Sequence, residues 1–353
     1  MLKKINNKIA AISLFSGCGG LDIGAHMAGV PVVFCNDFDA DSIRTLKANK
    51  IFKKATIIKD RIENVDSTII QKVMNKSPYD SFILIGGPPC QPFSKAGYWI
   101  SHTRRLKDKD PRNMIGQYLR VLSEVKPDGF LFENVESILH PTNKHTVENL
   151  ISVTKELGYK VRMIKANALD YGVPQKRKRI IILGSKSLEI TNDPPKSHAS
   201  PELAKKEGLL PYETVGKFIN KFNQKKYFEP EEVIGKTYRN ELMLVPPGKN
   251  YIALTDTKKY KNPKFEAGKR FWSFLLKLSP DISSWTIPAQ PGPWVGPFHW
   301  ESRRLRVPEI AAIQTFPADY KFIGTRRSIQ RQIGNAVPPL LGKAMIEHLI
   351  KYI

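Results

Sequence analysis

The chain is poor in cysteine. It has three in 353 residues, Cys18, Cys35 and Cys90. Three cannot build a disulfide framework, and their spacing fits no metal-ligand pattern, so no metal site is expected. Long apolar runs are missing too, which argues against a membrane span. The opening Met1-Leu2-Lys3-Lys4-Ile5 leads into a strand-like stretch and does not read as a signal peptide. A reducing cytoplasm is the expected compartment. Acid is scarce: 33 Asp+Glu stand against 56 Lys+Arg, a net charge of +23. That balance favours a polyanionic partner, either nucleic acid or an anionic membrane surface. No amphipathic anchor or lipidation signal supports the membrane. A basic protein from a lysine-rich proteome would show the same charge. The hydrophobic share of 41% is that of a globular chain, long enough for two domains or one with a large insertion.

What is present in the first half is an α/β rhythm. Ile9 to Phe15 reads as a strand, followed by Ser16-Gly17-Cys18-Gly19-Gly20 and a helix from Leu21 to Ala28. Glycines between strand and helix let a ligand approach the helix N-terminus. A second strand, Val32 to Cys35, ends at Asn36-Asp37. Asp37 stands about twenty residues beyond the first strand, the interval of an acid that grips ribose hydroxyls. A tight turn with a surface aspartate would read the same. Helices over 41–49 and 62–74 flank a short strand, Thr56 to Ile58, which ends near Asp60.

Ser81 to Ile85 reads as a buried parallel strand running into Gly86-Gly87-Pro88-Pro89-Cys90-Gln91-Pro92-Phe93-Ser94. Ligands of open α/β sheets bind beyond strand carboxyl ends. Three prolines stiffen the loop that carries Cys90, which suits a nucleophile, although a single cysteine can equally be structural. Residues 94–112 form a long basic loop, a binding loop or a disordered one. After a helix over 117–125, Gly129 to Phe132 is another buried strand ending at Glu133-Asn134-Val135. Glu133 thus shares a sheet edge with Cys90, as an acid beside a thiol or as an ordinary capping turn.

A helix over 147–157 and an extended segment over 161–168 precede Gln175-Lys176-Arg177-Lys178-Arg179 and a last strand, Ile180 to Gly184. Extended residues alternate, so Gln175, Arg177 and Arg179 share one face and Lys176 and Lys178 the other. Beyond Lys186 the rhythm stops. Residues 191–300 are rich in proline, lysine and aromatics. Trp272, Trp285, Trp294, Phe298, His299 and Trp300 could stack on nucleic acid or form a small core, and core is favoured for most. Helices over 307–314 and 340–349 follow, the last placed to return to the first sheet.

Six ordered blocks carry a resemblance to the DNA (cytosine-5)-methyltransferases of bacterial restriction–modification systems. They are Leu14 to Gly20, Gly87 to Ser94, Glu133-Asn134-Val135, Gln175 to Arg179, Arg303-Arg304-Leu305 with Gln314-Thr315-Phe316-Pro317, and Gln332 to Pro339. The resemblance implies a Rossmann-like, S-adenosyl-L-methionine-dependent α/β sheet with helices on both faces and a smaller irregular target-recognition domain. The catalytic domain would span 1–188, completed by 330–353, with recognition over 189–329. It implies that the Cys90 thiolate adds to cytosine C6, that Glu133 contacts ring N3 and the amine, and that Arg179 and Arg177 support the carbonyl. S-adenosyl-L-methionine would lie against Phe15, Gly17, Gly19, Gly20, Asp37, Asp60, Pro89 and Asn335. The implied partner is double-stranded DNA, with the target cytosine flipped. A monomer is expected, with a cognate restriction endonuclease acting on the same site. A transfer-RNA methyltransferase would carry a Cys-Phe-Thr tripeptide, and no cysteine follows Cys90. A non-catalytic DNA-binding relative would be expected to lose Cys90 or Glu133. A small-molecule methyltransferase fits neither the charge nor the insertion.

Overall fold

The computed structural model describes residues 8–89, 114–258, 260–266 and 271–353. Cys90 and the basic loop over 94–112 lie outside the described residues.

Among the described residues, one mixed sheet has seven strands in the order β3-β2-β1-β4-β5-β7-β6. The parallel strands are β1 (Ile9–Leu14), β2 (Val32–Asp37), β3 (Thr56–Lys59), β4 (Ser81–Gly86) and β5 (Gly129–Val135). β6 (Lys160–Asn167) and β7 (Lys178–Ser185) form an antiparallel pair, and β7 also runs antiparallel to β5. Two short strands, β8 (His198–Ala199) and β9 (Leu210–Pro211), pair separately. Between the first strands lie α1 (Gly20–Met27), α2 (Ala40–Ala48), α3 (Ser67–Lys76), α4 (Met114–Val125) and α5 (Lys144–Glu156). Short helices α6 (Pro201–Glu207), α7 (Val215–Ile219) and α8 (Arg239–Leu244) follow. The chain closes with α9 (Val307–Ile313), α10 (Arg326–Asn335) and α11 (Pro339–Leu349).

Strand alternation builds two cores. Ile12, Leu14, Phe34, Leu84, Phe130, Phe132 and Ile182 face α3, α4 and α5. Ala11, Cys35, Ile83, Leu131 and Ile181 face the opposite way, toward Leu21 of α1, Leu46 of α2 and Leu341, Met345 and Leu349 of α11. Burial on both faces is why these strands read as continuous apolar runs. The last helix packs on the first, so residues some three hundred positions apart share one layer.

Two local readings change. The helix expected over 62–74 is a 3-10 turn over Ile62–Asn64 followed by α3. Asp66 restarts it: its carboxylate accepts from Thr68 N at 2.9 Å and from the Thr68 hydroxyl at 2.7 Å. The last strand is longer than expected, and its reversed direction carries no signal in its own residues.

Beyond β7 the structure is mostly short helices and turns. One apolar cluster there joins Ile234, Leu242, Leu254, Leu275 and Phe298. Another joins Val215, Leu278, Ile310 and Phe316 to Cys18 and Ile23 of the first turn and helix and to Ile333 of α10.

Asp22, in the first turn of α1, is fully buried. One carboxylate oxygen lies 3.5 Å from Cys35 Sγ, and the other has no partner in hydrogen-bonding geometry among the described residues. Burial pushes its pKa up to about 6. A raised carboxyl pKa favours the protonated folded state, so its contribution is present below the unfolded value and is lost as pH rises through about 6. Urea unfolding of wild type and Asp22→Asn across pH 4 to 7 should therefore show the variant gaining on the wild type by on the order of 3 kcal/mol. A difference that stays constant with pH would contradict the raised pKa of Asp22.

Candidate active site

The order of the sheet reverses between β1 and β4, and the candidate residues lie off the carboxyl ends of the strands there. After β1 the chain turns through Phe15 and Gly17, with φ of 53° and 54°. A left-handed phenylalanine is a strained residue that the surroundings must hold in place. A Cβ built on Gly17 would meet nothing within 4 Å, so this glycine faces open space. Gly19 caps α1. Gly20 serves packing, since a Cβ there would come within 2.3 Å of the Val337 carbonyl. The close approach brings the turn after α10, and with it Asn335, beside the start of α1.

Asp37 ends β2. Its carboxylate accepts from Gly17 N at 2.8 Å and from Asp39 N at 2.9 Å. Burial is the main cause that raises its pKa. The predicted acid is thus tied directly to the predicted glycine turn. Its neighbour Phe38, which the sequence reading passed over, is 66% exposed. An exposed phenyl ring beside that acid offers an apolar wall to whatever Asp37 holds. Asp60 follows β3 and accepts from Arg61 N at 2.7 Å and from Asn64 Nδ2 at 2.9 Å. Its carbonyl accepts from Asn36 Nδ2 at 3.0 Å, which links the β2 and β3 ends.

Glu133 sits at the β5 end with its carboxylate 2.7 Å from Arg179 Nε. The register pairs Gly86 with Phe132, so Gly87 falls beside Glu133. A Cβ on Gly87 would lie 2.7 Å from Glu133 Oε2. Asn134 Nδ2 donates to the Pro88 carbonyl at 3.3 Å. The carboxylate, the arginine and the turn through Pro89 therefore form one cluster, and that turn leads into residue 90.

The alternation expected over 175–179 holds. Gln175 and Arg177 are buried and Arg179 half-buried, while Lys176 and Lys178 are exposed. The inward residues diverge in what they touch. Arg177 donates to the carbonyls of Gly334 at 2.9 Å and Ala336 at 3.0 Å, and burial lowers its pKa. It braces the turn after α10, whereas Arg179 holds Glu133. Gln314 was not singled out as a site residue, yet it is fully buried and ties the same parts together. It donates to the Ile333 carbonyl at 2.6 Å and accepts from Gln175 Nε2 at 2.9 Å. Gln175's place on the inward face was the signal for this contact. The Arg303 block is also internal: Arg303 forks onto Glu309 at 2.8 and 2.7 Å.

Cys18 and Cys35 are buried, and desolvation pushes both thiols up, away from reactivity. Among the described residues no cluster of His, Cys, Asp and Glu could hold a metal, and no helix is long and apolar enough to cross a membrane. Open space at Gly17, the N-terminus of α1, the Asp37 carboxylate and the exposed Phe38 ring suit an adenosine-containing cofactor in their chemistry.

Comparisons with known proteins agree with this chemistry. M.SacI, a type II methyltransferase of Streptomyces achromogenes, is 34% identical over 98% of this chain and 94% of its own. The type II methyltransferase M.NgoFVII of Neisseria gonorrhoeae is 32% identical over 96% of this chain and 85% of its own. A DNA modification methyltransferase encoded within an E. coli prophage shares the fold, with a TM-score of 0.66 at 24% identity over 98% of this chain and 99% of that one. So does the Entamoeba histolytica methyltransferase EhMeth, with a TM-score of 0.62 at 15% identity over 98% of both chains. Residues 9–351 match the profile described as C-5 cytosine-specific DNA methylase. The chain belongs to that family, as a DNA cytosine-5 methyltransferase whose methyl donor is S-adenosyl-L-methionine.

Proposed function

We propose that this enzyme methylates one cytosine within a short duplex sequence and protects host DNA in a restriction–modification system, as a monomer, alongside an endonuclease that cuts the same site. The observation that carries the mechanism is the Glu133–Arg179 pair at 2.7 Å, pressed against the turn that leads into Cys90. In this reading the target cytosine is flipped into the cleft. The Cys90 thiolate forms a bond to C6, and the C5–C6 electron pair shifts onto C5. Glu133 meets ring N3 and the exocyclic amine and favours protonation of the ring as C6 is attacked. Arg179 holds Glu133 in place and faces the base carbonyl, and Arg177 supports the site from behind through the 334–336 turn. S-adenosyl-L-methionine supplies the electrophilic methyl group that C5 takes. Loss of the C5 proton to base then re-forms the double bond and frees the thiolate. Phe15, Gly17, Gly19, Gly20, Asp37, Phe38, Asp60, Pro89 and Asn335 form the wall for the cofactor. The catalytic domain comprises 1–188 and 330–353, recognition is carried by 189–329, and DNA lies between them.

Three outcomes test this reading. Gly87→Ala would push on the Glu133 carboxylate, and a misplacement of about 1 Å costs roughly a hundredfold in turnover. The expected result is that loss in kcat with the affinity for S-adenosyl-L-methionine preserved; an unchanged kcat would sink the role given to the Gly87 contact. Phe38→Ala should weaken S-adenosyl-L-methionine binding by about tenfold in calorimetry, the equivalent of about 1.4 kcal/mol of lost apolar contact, with DNA binding unaffected. Equal affinities in variant and wild type would remove Phe38 from the cofactor wall. Finally, labelled methyl transfer to unmethylated genomic DNA should mark cytosine C5 within one motif by bisulfite sequencing and vanish in Cys90→Ser. Transfer to transfer RNA in place of DNA would overturn the substrate.

A further inference from the structure

We propose that Trp272, Trp285 and Lys176 form a stacking wall for the DNA strand that carries the target cytosine, with Phe271 at its outer edge. The proposal rests on the functional reading above and names a contact surface within it.

The aromatics of the irregular region separate into two groups. Phe298 and His299 are buried, and Trp294 packs with Phe298 and Leu275 in an apolar cluster. Trp272 and Phe271 do not join that cluster and are 51% and 67% exposed. Trp272 instead meets the half-buried Trp285 edge to face, with ring centroids 5.4 Å apart. Lys176 places its ammonium 5.7 Å from the Trp285 ring, and among the described residues no carboxylate pairs with it. The nearby apolar cluster does not include these rings. An exposed aromatic pair beside a cation with no carboxylate partner suits a strand from which one base is flipped: sugars and the face left unstacked by the flip meet the rings, and a phosphate meets the charge.

The wall is also held rigidly, and it stands beside the chemistry. Lys176 N donates to the Ser284 carbonyl at 2.8 Å, and Ser284 N donates to the Pro174 carbonyl at 2.8 Å. The Thr286 hydroxyl donates to the Lys176 carbonyl at 2.7 Å. Gln175 Oε1 accepts from Ile287 N at 3.1 Å. The Trp285 segment is therefore stitched to the strand that carries Arg179. Trp272 is fixed from the other side, where its carbonyl accepts from Asn250 Nδ2 at 2.7 Å. Exposed rings whose backbones are this well anchored lose little freedom on binding. Three residues of extended chain separate Lys176 from Arg179, roughly 10 Å at about 3.3 Å per residue. That is about the rise of three stacked nucleotides at ~3.4 Å each. The wall therefore meets the strand within a few nucleotides of the flipped base.

The test uses the full chain with Trp272→Ala, Trp272→Phe and Lys176→Gln, and thermal melting to confirm folding. Methyl transfer to unmethylated genomic DNA gives KM for DNA. Anisotropy with a duplex of arbitrary sequence, at several salt concentrations, gives the electrostatic slope. Trp272→Ala should raise KM for DNA by about tenfold or more, and Trp272→Phe should restore most of it. Lys176→Gln should reduce the salt slope by about one. S-adenosyl-L-methionine affinity should not move in any variant. A DNA KM and salt slope matching the wild type in every variant would overturn the wall, and a changed oligomeric state in their place would assign the rings to a second copy of the chain. If the wild type itself transfers no methyl to DNA, the functional reading fails before the wall is tested.

Discussion

The pairing of Glu133 with Arg179 depends on the missing side chain at residue 87. Glu133 can lie against Arg179 because its second oxygen occupies space that any Cβ at this position would take. The constraint passes through the register of β4 and β5, which sets Gly86 opposite Phe132 and so sets the next pair opposite each other. Shifting that register by one residue would turn Glu133 into the core and Phe132 into the cleft. The packing of Phe132 against Tyr118, a T-shaped contact at 5.4 Å, therefore helps aim a carboxylate on the other side of the strand. Core and site are two faces of one alternation.

A second constraint closes the other end of the site. The turn after α10 receives Arg177 and Gln314 from opposite sides and presses on Gly20 from above. These groups come from the basic strand, from the residue that caps α9 and from the first helix. A late segment thereby locks an early one, and α11 then fills the layer beside α1. This explains why the chain returns to its starting sheet after a long irregular excursion. The return supplies carbonyls to a buried arginine that would otherwise bear its charge without partners.

Much of this was legible in the residues. Glycine turn and acid, about twenty positions apart, do meet: Gly17 N donates to Asp37 at 2.8 Å. Alternation over 175–179 correctly sorted inward from outward side chains. What alternation cannot supply is depth along the inward face, so Arg177 and Arg179 were paired in role though one braces a turn and the other a carboxylate. Phe38 was missed because a lone aromatic after a strand looks like any strand residue; its exposure makes it distinctive. The aromatics over 272–300 were weighed as a group, but burial divides them residue by residue, and only tertiary neighbours decide which ring finds the cluster. The reversed direction of β7 depends on its pairing with β5, which no local pattern encodes.

The basic charge also divides once its neighbours are known. Arg303 and Arg306 spend theirs on Glu309 and Glu232 inside the fold, and Arg177 on backbone carbonyls. The two carboxylate-paired arginines add little to the outside field, so a count of Lys and Arg overstates the charge that a polyanion meets. The strand leading into β7 separates the two uses within five residues. Its inward side chains reach the carboxylate and the turn that shape the chemistry, and its outward lysines remain in solvent. Because both sets hang on one backbone, stitched to the Trp285 segment and, through β7, to β5, the inward and outward side chains are held at fixed offsets from Glu133. The same extended geometry that buries Arg177 thus leaves Lys176 and Lys178 exposed.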